Sequence, residues 1–240
     1  MRSGLARFVA ITVAAGPAGC GAAAPTIDRS GDWIENAPPK RSHRADTPRA
    51  RRDGELFRNT YYDFPLDAGG SEAEVFDARC QPVARVSRAF HDQVCVQGSG
   101  RLATGETISF ARRDCACAAE CPRTGQKICF DKLDPGRFPT GRGARGTAIT
   151  PLRTLAVDSS VIPLGTPVYI PEFVGLPMLD GAPHDGCFLA EDRGSKVVGK
   201  HVDVFTGDPS MTRAWNAQRP SNEGVHVELD APRCDRLRPR

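Results

Sequence analysis

A chain of 240 residues with 40% hydrophobic and 25% charged side chains can bury a core, which excludes a fully disordered or fibrous protein. The net charge of +3 comes largely from one tract, Lys40, Arg41, Arg44, Arg49, Arg51 and Arg52, so it describes no basic face on a folded domain and argues against nucleic acid as a partner. Low aromatic content with 24 Gly and 20 Pro favours short strands and tight turns, an all-β or β-rich domain.

The N-terminus reads as an export address. Arg2 and Arg7 flank an apolar run from Leu5 to Ala18, short for a bilayer span but suited to a secretory signal. Pro17-Ala18-Gly19-Cys20 resembles a bacterial lipobox, in which Cys20 is lipidated and becomes the mature N-terminus. Residues 1–20 are therefore expected to be a signal peptide, with cleavage near Ala18 and an incidental Cys20 as the alternative. Gly21 after Cys20, in place of an aspartate retention signal, points to the periplasmic face of the outer membrane; a secreted or periplasmic protein is the alternative. Residues 21–54, rich in Ala, Pro, Arg, Ser and Asp, lack apolar periodicity and read as a disordered, flexible tether.

The folded part is expected over 55–235. Phe57 to Phe64 is aromatic and β-prone, stops at Pro65, and reads as a first strand. Of nine cysteines, setting Cys20 aside leaves eight, an even number in an exported chain, and predicts four disulfides. Six of these lie in a block over 79–130, expected as a disulfide-rich insertion with short strands at Val83–Val86 and Thr107–Phe110. Zinc at Cys115, Cys117, Cys121 and Cys129 is the weaker reading, since no histidine or pair of Cys-x2-Cys knuckles accompanies them; no metal or other cofactor is expected. Connectivity stays open, because eight cysteines allow about a hundred pairings.

From Gly141 the strand signals become regular. Gly141–Gly146 reads as a loop, and short strands are expected at Leu155–Asp158, Val168–Ile170, Cys187–Asp192, Val197–Gly199, His201–Phe205 and Gly224–Leu229. Only Met211–Gln218 suggests a helix, and Asp180, His184 and Asp185 read as turn residues, with a cover over the site as the alternative. Such a series of short strands with Gly turns suggests a barrel. Asp158, Asp192 and Asp203 each sit at the end of, or inside, an apolar strand-like stretch, where a carboxylate is costly unless solvated, paired or used. Any one of them alone would be a turn cap; three together point to a site.

The runs Leu155–Ile170 and Ala190–Asp203, in order and spacing, resemble the three-aspartate (3D) domain shared by membrane-bound lytic murein transglycosylase A and small muralytic proteins of stationary phase. The similarity extends over roughly 141–230, with Phe57–Pro65 resembling the family's early strand. The resemblance implies a six-stranded double-psi β-barrel that cleaves the β-1,4 bond between N-acetylmuramic acid and N-acetylglucosamine and releases a 1,6-anhydro sugar. It places Asp203 as catalytic acid and base with Asp192 and Asp158 as companions, and Thr60 and Tyr61 along the substrate groove. His201 and Asp203 resemble the His-x-Asp element of expansin-like barrels, which adds His201 to the substrate-binding set and supplies a second reading, a non-catalytic glycan-binding and wall-loosening module. That reading calls for exposed stacking surfaces, for which Tyr61, Tyr62, Tyr169 and Trp215 are available. Calcium at the three aspartates is the last choice, because calcium loops bring their ligands close in sequence. The partners expected are peptidoglycan glycan strands and, through Cys20, a membrane, with the protein a monomer.

For the acid role, the pKa of Asp203 must be raised. Burial beside Val202, Val204 and Phe205 and a second carboxylate from Asp192 or Asp158 would do so, while Arg193 next to Asp192 would act in the opposite direction.

Overall fold

The computed structural model describes residues 54–238; the expected signal segment, Cys20 and all of the linker but Gly54 lie outside the described residues. Strand β1 (Glu55–Tyr62) enters first. After a long excursion the chain forms β7 (Thr154–Val157), β8 (Pro167–Tyr169), β9 (Cys187–Asp192), β10 (His201–Phe205) and β11 (Val225–Leu229). These six strands close a barrel in the order β1-β10-β7-β9-β8-β11, with β1–β10 and β7–β9 parallel and the remaining pairs antiparallel. The expected six-stranded, β-rich barrel is present.

Strand alternation explains its core. Phe57, Leu155, Val157, Phe188, Ala190, Val202, Val204, Val225 and Val227 take every second position and meet inside, each large side chain contributing about 1.5–3 kcal/mol by burial. Trp215 on α2 (Pro209–Gln218) is fully buried against the 3-10 turn residue Phe173, and its indole N–H donates to the Pro177 carbonyl at 2.8 Å. Helix α2 starts where it does because the Asp208 carboxylate accepts from Ser210 N at 2.7 Å and Pro209 opens the first turn. Cys187–Cys234 ties the start of β9 to the C-terminal 3-10 turn Pro232–Leu237.

The excursion between β1 and β7 carries its own core. Two small sheets, β2 (Ala73–Phe76) with β3 (Pro82–Val86), and β4 (Ser99–Arg101) with β5 (Thr107–Arg112) and β6 (Cys129–Leu133), pack with helix α1 (Arg88–Gln97) around Val75, Val86, Phe90, Val94, Ile108 and Phe130. It is wider than the cysteine block at 79–130. Disulfides Cys80–Cys117, Cys95–Cys121 and Cys115–Cys129 staple it, so the cysteines of the alternative zinc reading are all used in bridges.

Two expectations fail. Helix α1 was not foreseen, although Ser87 caps it, accepting from Phe90 N at 3.2 Å, and Gly98 ends it in the left-handed region at φ 83°. Val197–Gly199, expected as a strand, is irregular and follows the turn at 195–196, with Gly199 at φ 67° in the left-handed conformation that a strand forbids.

Candidate active site

The register of the barrel writes out a row of side chains on its outer wall. Thr60 of β1 stands opposite Asp203 of β10, Asp203 opposite Ala156 of β7, and Ala156 opposite Asp192 of β9. Asp203 lies outside because its neighbours Val202 and Val204 point in. Asp192 needs a further device. It shares parity with the inward Phe188 and Ala190 and would enter the core, but the pairing shifts between Leu155 and Ala156, so that Glu191 is an extra residue on β9 and Asp192 turns outward. One strand, β7, lies between the two carboxylates, so two inter-strand spacings put roughly 10 Å between their backbones.

Asp203 is held from one side. Thr60 Oγ1 lies 2.7 Å from Asp203 Oδ1 and 2.8 Å from His201 Nε2, forming a chain of His201, Thr60 and Asp203. The Thr60 hydroxyl has a single proton. When Asp203 is ionised, that proton points to the carboxylate and the hydroxyl accepts from His201 Nε2; when Asp203 is protonated, the hydroxyl is free to accept from it and donate to the imidazole. Burial lowers the pKa of His201, with the Arg58 charge adding to the effect, so the ring is neutral at physiological pH. Burial pushes Asp203 up to about 6, with the Asp192 charge reinforcing it and the Thr60 hydrogen bond and Arg58 opposing it.

Asp192 is placed by three donors: Tyr62 Oη at 2.9 Å, Ala144 N at 3.1 Å and Arg193 N at 2.8 Å. Burial nevertheless raises its pKa. The Gly141–Gly146 loop reaches Asp192 because Gly143 packs on the end of β9, where a Cβ would sit 2.7 Å from the Glu191 carbonyl oxygen.

Asp158 is of a different kind. It accepts from Ser160 Oγ at 2.6 Å, Ser160 N at 2.9 Å and Gly199 N at 2.8 Å, and these bonds, the Ser160 hydroxyl foremost, lower its pKa to about 2. It stays ionised, pins the 193–199 turn, and does not figure among the charges that raise Asp203. Arg193 bears on Asp158; its charge is absent from the causes that set Asp192 and Asp203, which removes the conflict expected from its position in sequence.

Tyr61 and Tyr62 both border the groove over Asp192 and Asp203, although adjacent strand residues face opposite sides of the barrel wall. Tyr61 packs on Phe173 and Trp215 and donates to the Arg219 carbonyl at 2.6 Å, whereas Tyr62 shares the Thr60 face and holds Asp192. His201 is buried, with its Nε2 against the Thr60 hydroxyl. Asp180 and Asp185 are turn or ion-pair residues, and His184 is buried, donating to the Leu152 carbonyl and accepting from Gly186 N.

A groove of about 920 Å³ runs over Asp192 and Asp203. Its barrel side includes Asp158 and the 193–198 turn, and its other wall comes from the insertion, with Val96, Gln97, Arg113 and Arg123. The insertion thus occupies the place where a second groove wall is needed.

Comparison with known proteins agrees with this architecture. Residues 153–217 match the family model described as 3D domain. Among solved structures, E. coli MltA with bound chitohexaose superimposes with a TM-score of 0.53 at 16% identity, over 72% of this chain and 71% of that one. A membrane-bound lytic murein transglycosylase from Agrobacterium tumefaciens gives 0.52 at 18% identity, over 78% and 77%. No curated protein matches by sequence.

Proposed function

We propose that this chain is a murein lytic transglycosylase that cuts the bond between N-acetylmuramic acid and N-acetylglucosamine and leaves a 1,6-anhydro end. The observation that carries the reading is Asp203 on the groove floor, protonated up to about pH 6 and oriented by Thr60. The 3D domain match and the likeness in fold to lytic transglycosylases support it.

Glycoside cleavage needs a proton on the leaving oxygen while the sugar acquires oxocarbenium character. Protonated Asp203 gives that proton to the glycosidic oxygen. Its carboxylate then takes the proton from the sugar's own C6 hydroxyl as that oxygen bonds to C1, and Asp203 is left as it began. Asp192, tied by Tyr62, Ala144 N and Arg193 N, supports the cycle by holding negative charge beside the developing cation and by raising the Asp203 pKa. Asp158 acts on the shape of the groove through the 193–199 turn. No step calls for a metal.

The non-catalytic reading draws little support from the aromatic residues, because Trp215 is fully buried and the two tyrosines that border the groove are tied down, Tyr61 to the Arg219 carbonyl and Tyr62 to Asp192. An envelope location, with anchoring through Cys20 as its finer form, is part of the proposal and follows from the substrate. The decisive experiment incubates murein with the wild type and with Asp203→Asn and reads released fragments by mass spectrometry. Anhydro-muropeptides from the wild type alone are expected; binding without cleavage by the wild type, with all four bridges formed, would refute the enzyme.

A further inference from the structure

Three cations of the groove have no ion-pair partner among the described residues. Arg113 and Arg123 stand on the insertion wall and Lys196 on the barrel side, all three lining the groove and exposed. Among the described residues none of them forms an ion pair, whereas Arg142 pairs with Asp131 and Lys200 with Glu55, and Arg193 bears on Asp158. Arg113 is also held in place: its guanidinium lies 4.8 Å from the Phe110 ring centroid, and Nε donates to Gln126 Oε1 at 3.3 Å. Phe110 and Gln126 line the same groove.

A groove for an uncharged glycan has no need of this arrangement. Neutral sugars are held by aromatic faces and neutral hydrogen bonds, and the three aromatic rings that line this groove are already engaged: Tyr61 packs on Phe173 and Trp215, Tyr62 is held to Asp192, and Phe110 lies against the Arg113 guanidinium. Like charges gathered in one cleft repel unless an anion joins them, and guanidinium groups bind carboxylates through paired N–H donors. The acids of the groove do not fill that role: Asp192 and Asp203 are turned to Tyr62 and Thr60, and Asp158 to Ser160 and Gly199.

We propose that Arg113, Arg123 and Lys196 form a carboxylate-binding wall, so that the substrate is an acidic glycan strand and a neutral chitin-like one is discriminated against. This rests on the lytic reading above for the identity of the strand. Its carboxylates have two sources, the free lactyl group of muramic acid on peptide-stripped strands and the acidic groups of the stem peptide.

The test measures binding to the full disulfide-bonded protein carrying Asp203→Asn, so that strands stay intact, with and without Arg113→Gln, Arg123→Gln and Lys196→Gln together. Three probes are used: chitohexaose, amidase-stripped murein glycan, and uncrosslinked peptide-bearing glycan. The expected result is that acidic strands bind about tenfold or more better than chitohexaose at low salt, that 0.3 M salt or the triple substitution removes this advantage, and that chitohexaose is unaffected. Loss on stripped strands assigns the lactyl group; loss confined to peptide-bearing strands assigns the stem. Equal affinity of the parent for all three probes, an equal loss on all three, or no binding of any probe overturns the wall. Cation-dependent binding of acidic strands by a protein whose wild type yields no anhydro product leaves the wall standing and removes the lytic reading alone.

Discussion

Thr60 and Asp203 are joined twice, as register partners in adjacent parallel strands and by a 2.7 Å bond between their side chains. The backbone pairing fixes the distance and the hydroxyl fixes the carboxylate's rotation. Thr60→Val keeps the shape and removes the hydroxyl. Because the lost bond favours the ionised form, the pKa of Asp203 rises and the alkaline limb of the pH–rate profile moves up, by about one unit at most. The maximal rate falls as the carboxyl loses its orientation. An alkaline limb that stays in place would show that Thr60 does not touch the acid in solution.

The two companion aspartates are expected to part ways. Asp192 raises the Asp203 pKa, so Asp192→Asn lowers it and shifts the alkaline limb to lower pH, reducing cleavage most at neutral pH. Asp158→Asn leaves that limb where it is and weakens substrate binding through the loosened 193–199 turn. Paired pH profiles of kcat and KM for both variants decide the matter; a common shift would contradict the geometry.

Asp203→Asn removes cleavage and stabilises the fold. The Asp203 carboxyl has an ordinary pKa of 3.8 and one of about 6 in the barrel, so the folded chain holds the proton more tightly. Its contribution to stability is fully present below about 3.8 and is lost as pH rises through about 6. At pH 7.5 the amide, which still accepts from Thr60, should therefore gain up to about 3 kcal/mol, and at pH 3.5 almost nothing. Thermal unfolding at the two pH values checks both sign and size.

Replacing Cys95 and Cys121 by serine opens a bridge of sequence separation 26 and should destabilise the insertion by about 3 kcal/mol. Hydrogen exchange is expected to quicken over 73–133 and to change little in β7, β9 and β10, while affinity for murein strands falls. Uniform loss of protection throughout would mean that wall and barrel unfold as one.

Much of this was legible in the residues. β9 and β10 stand out because Cys187–Ala190 is an apolar run and His201–Phe205 an alternating one between Gly-containing turns, and Asp192 at the end of the first and Asp203 in the middle of the second mark the site. Helix α1 escaped notice because its inward side, Phe90, His91, Val94 and Cys95, mixes aromatic, polar and β-branched residues, although Ser87 and Gly98 were readable as its caps. The outward turn of Asp192 was not legible, because a bulge is a property of the pairing between strands and leaves no local mark on the chain.

The order in which the fold is assembled follows from where its pairings lie. The insertion's bridges span 14 to 37 residues and its strands pair locally, so it closes early. Thr60 meets Asp203 across 143 positions, and β1 is sealed on its other edge only by β11. A chain interrupted before Val225 therefore possesses its groove wall and all three aspartates but no closed barrel, so the proposed activity would await the last strand.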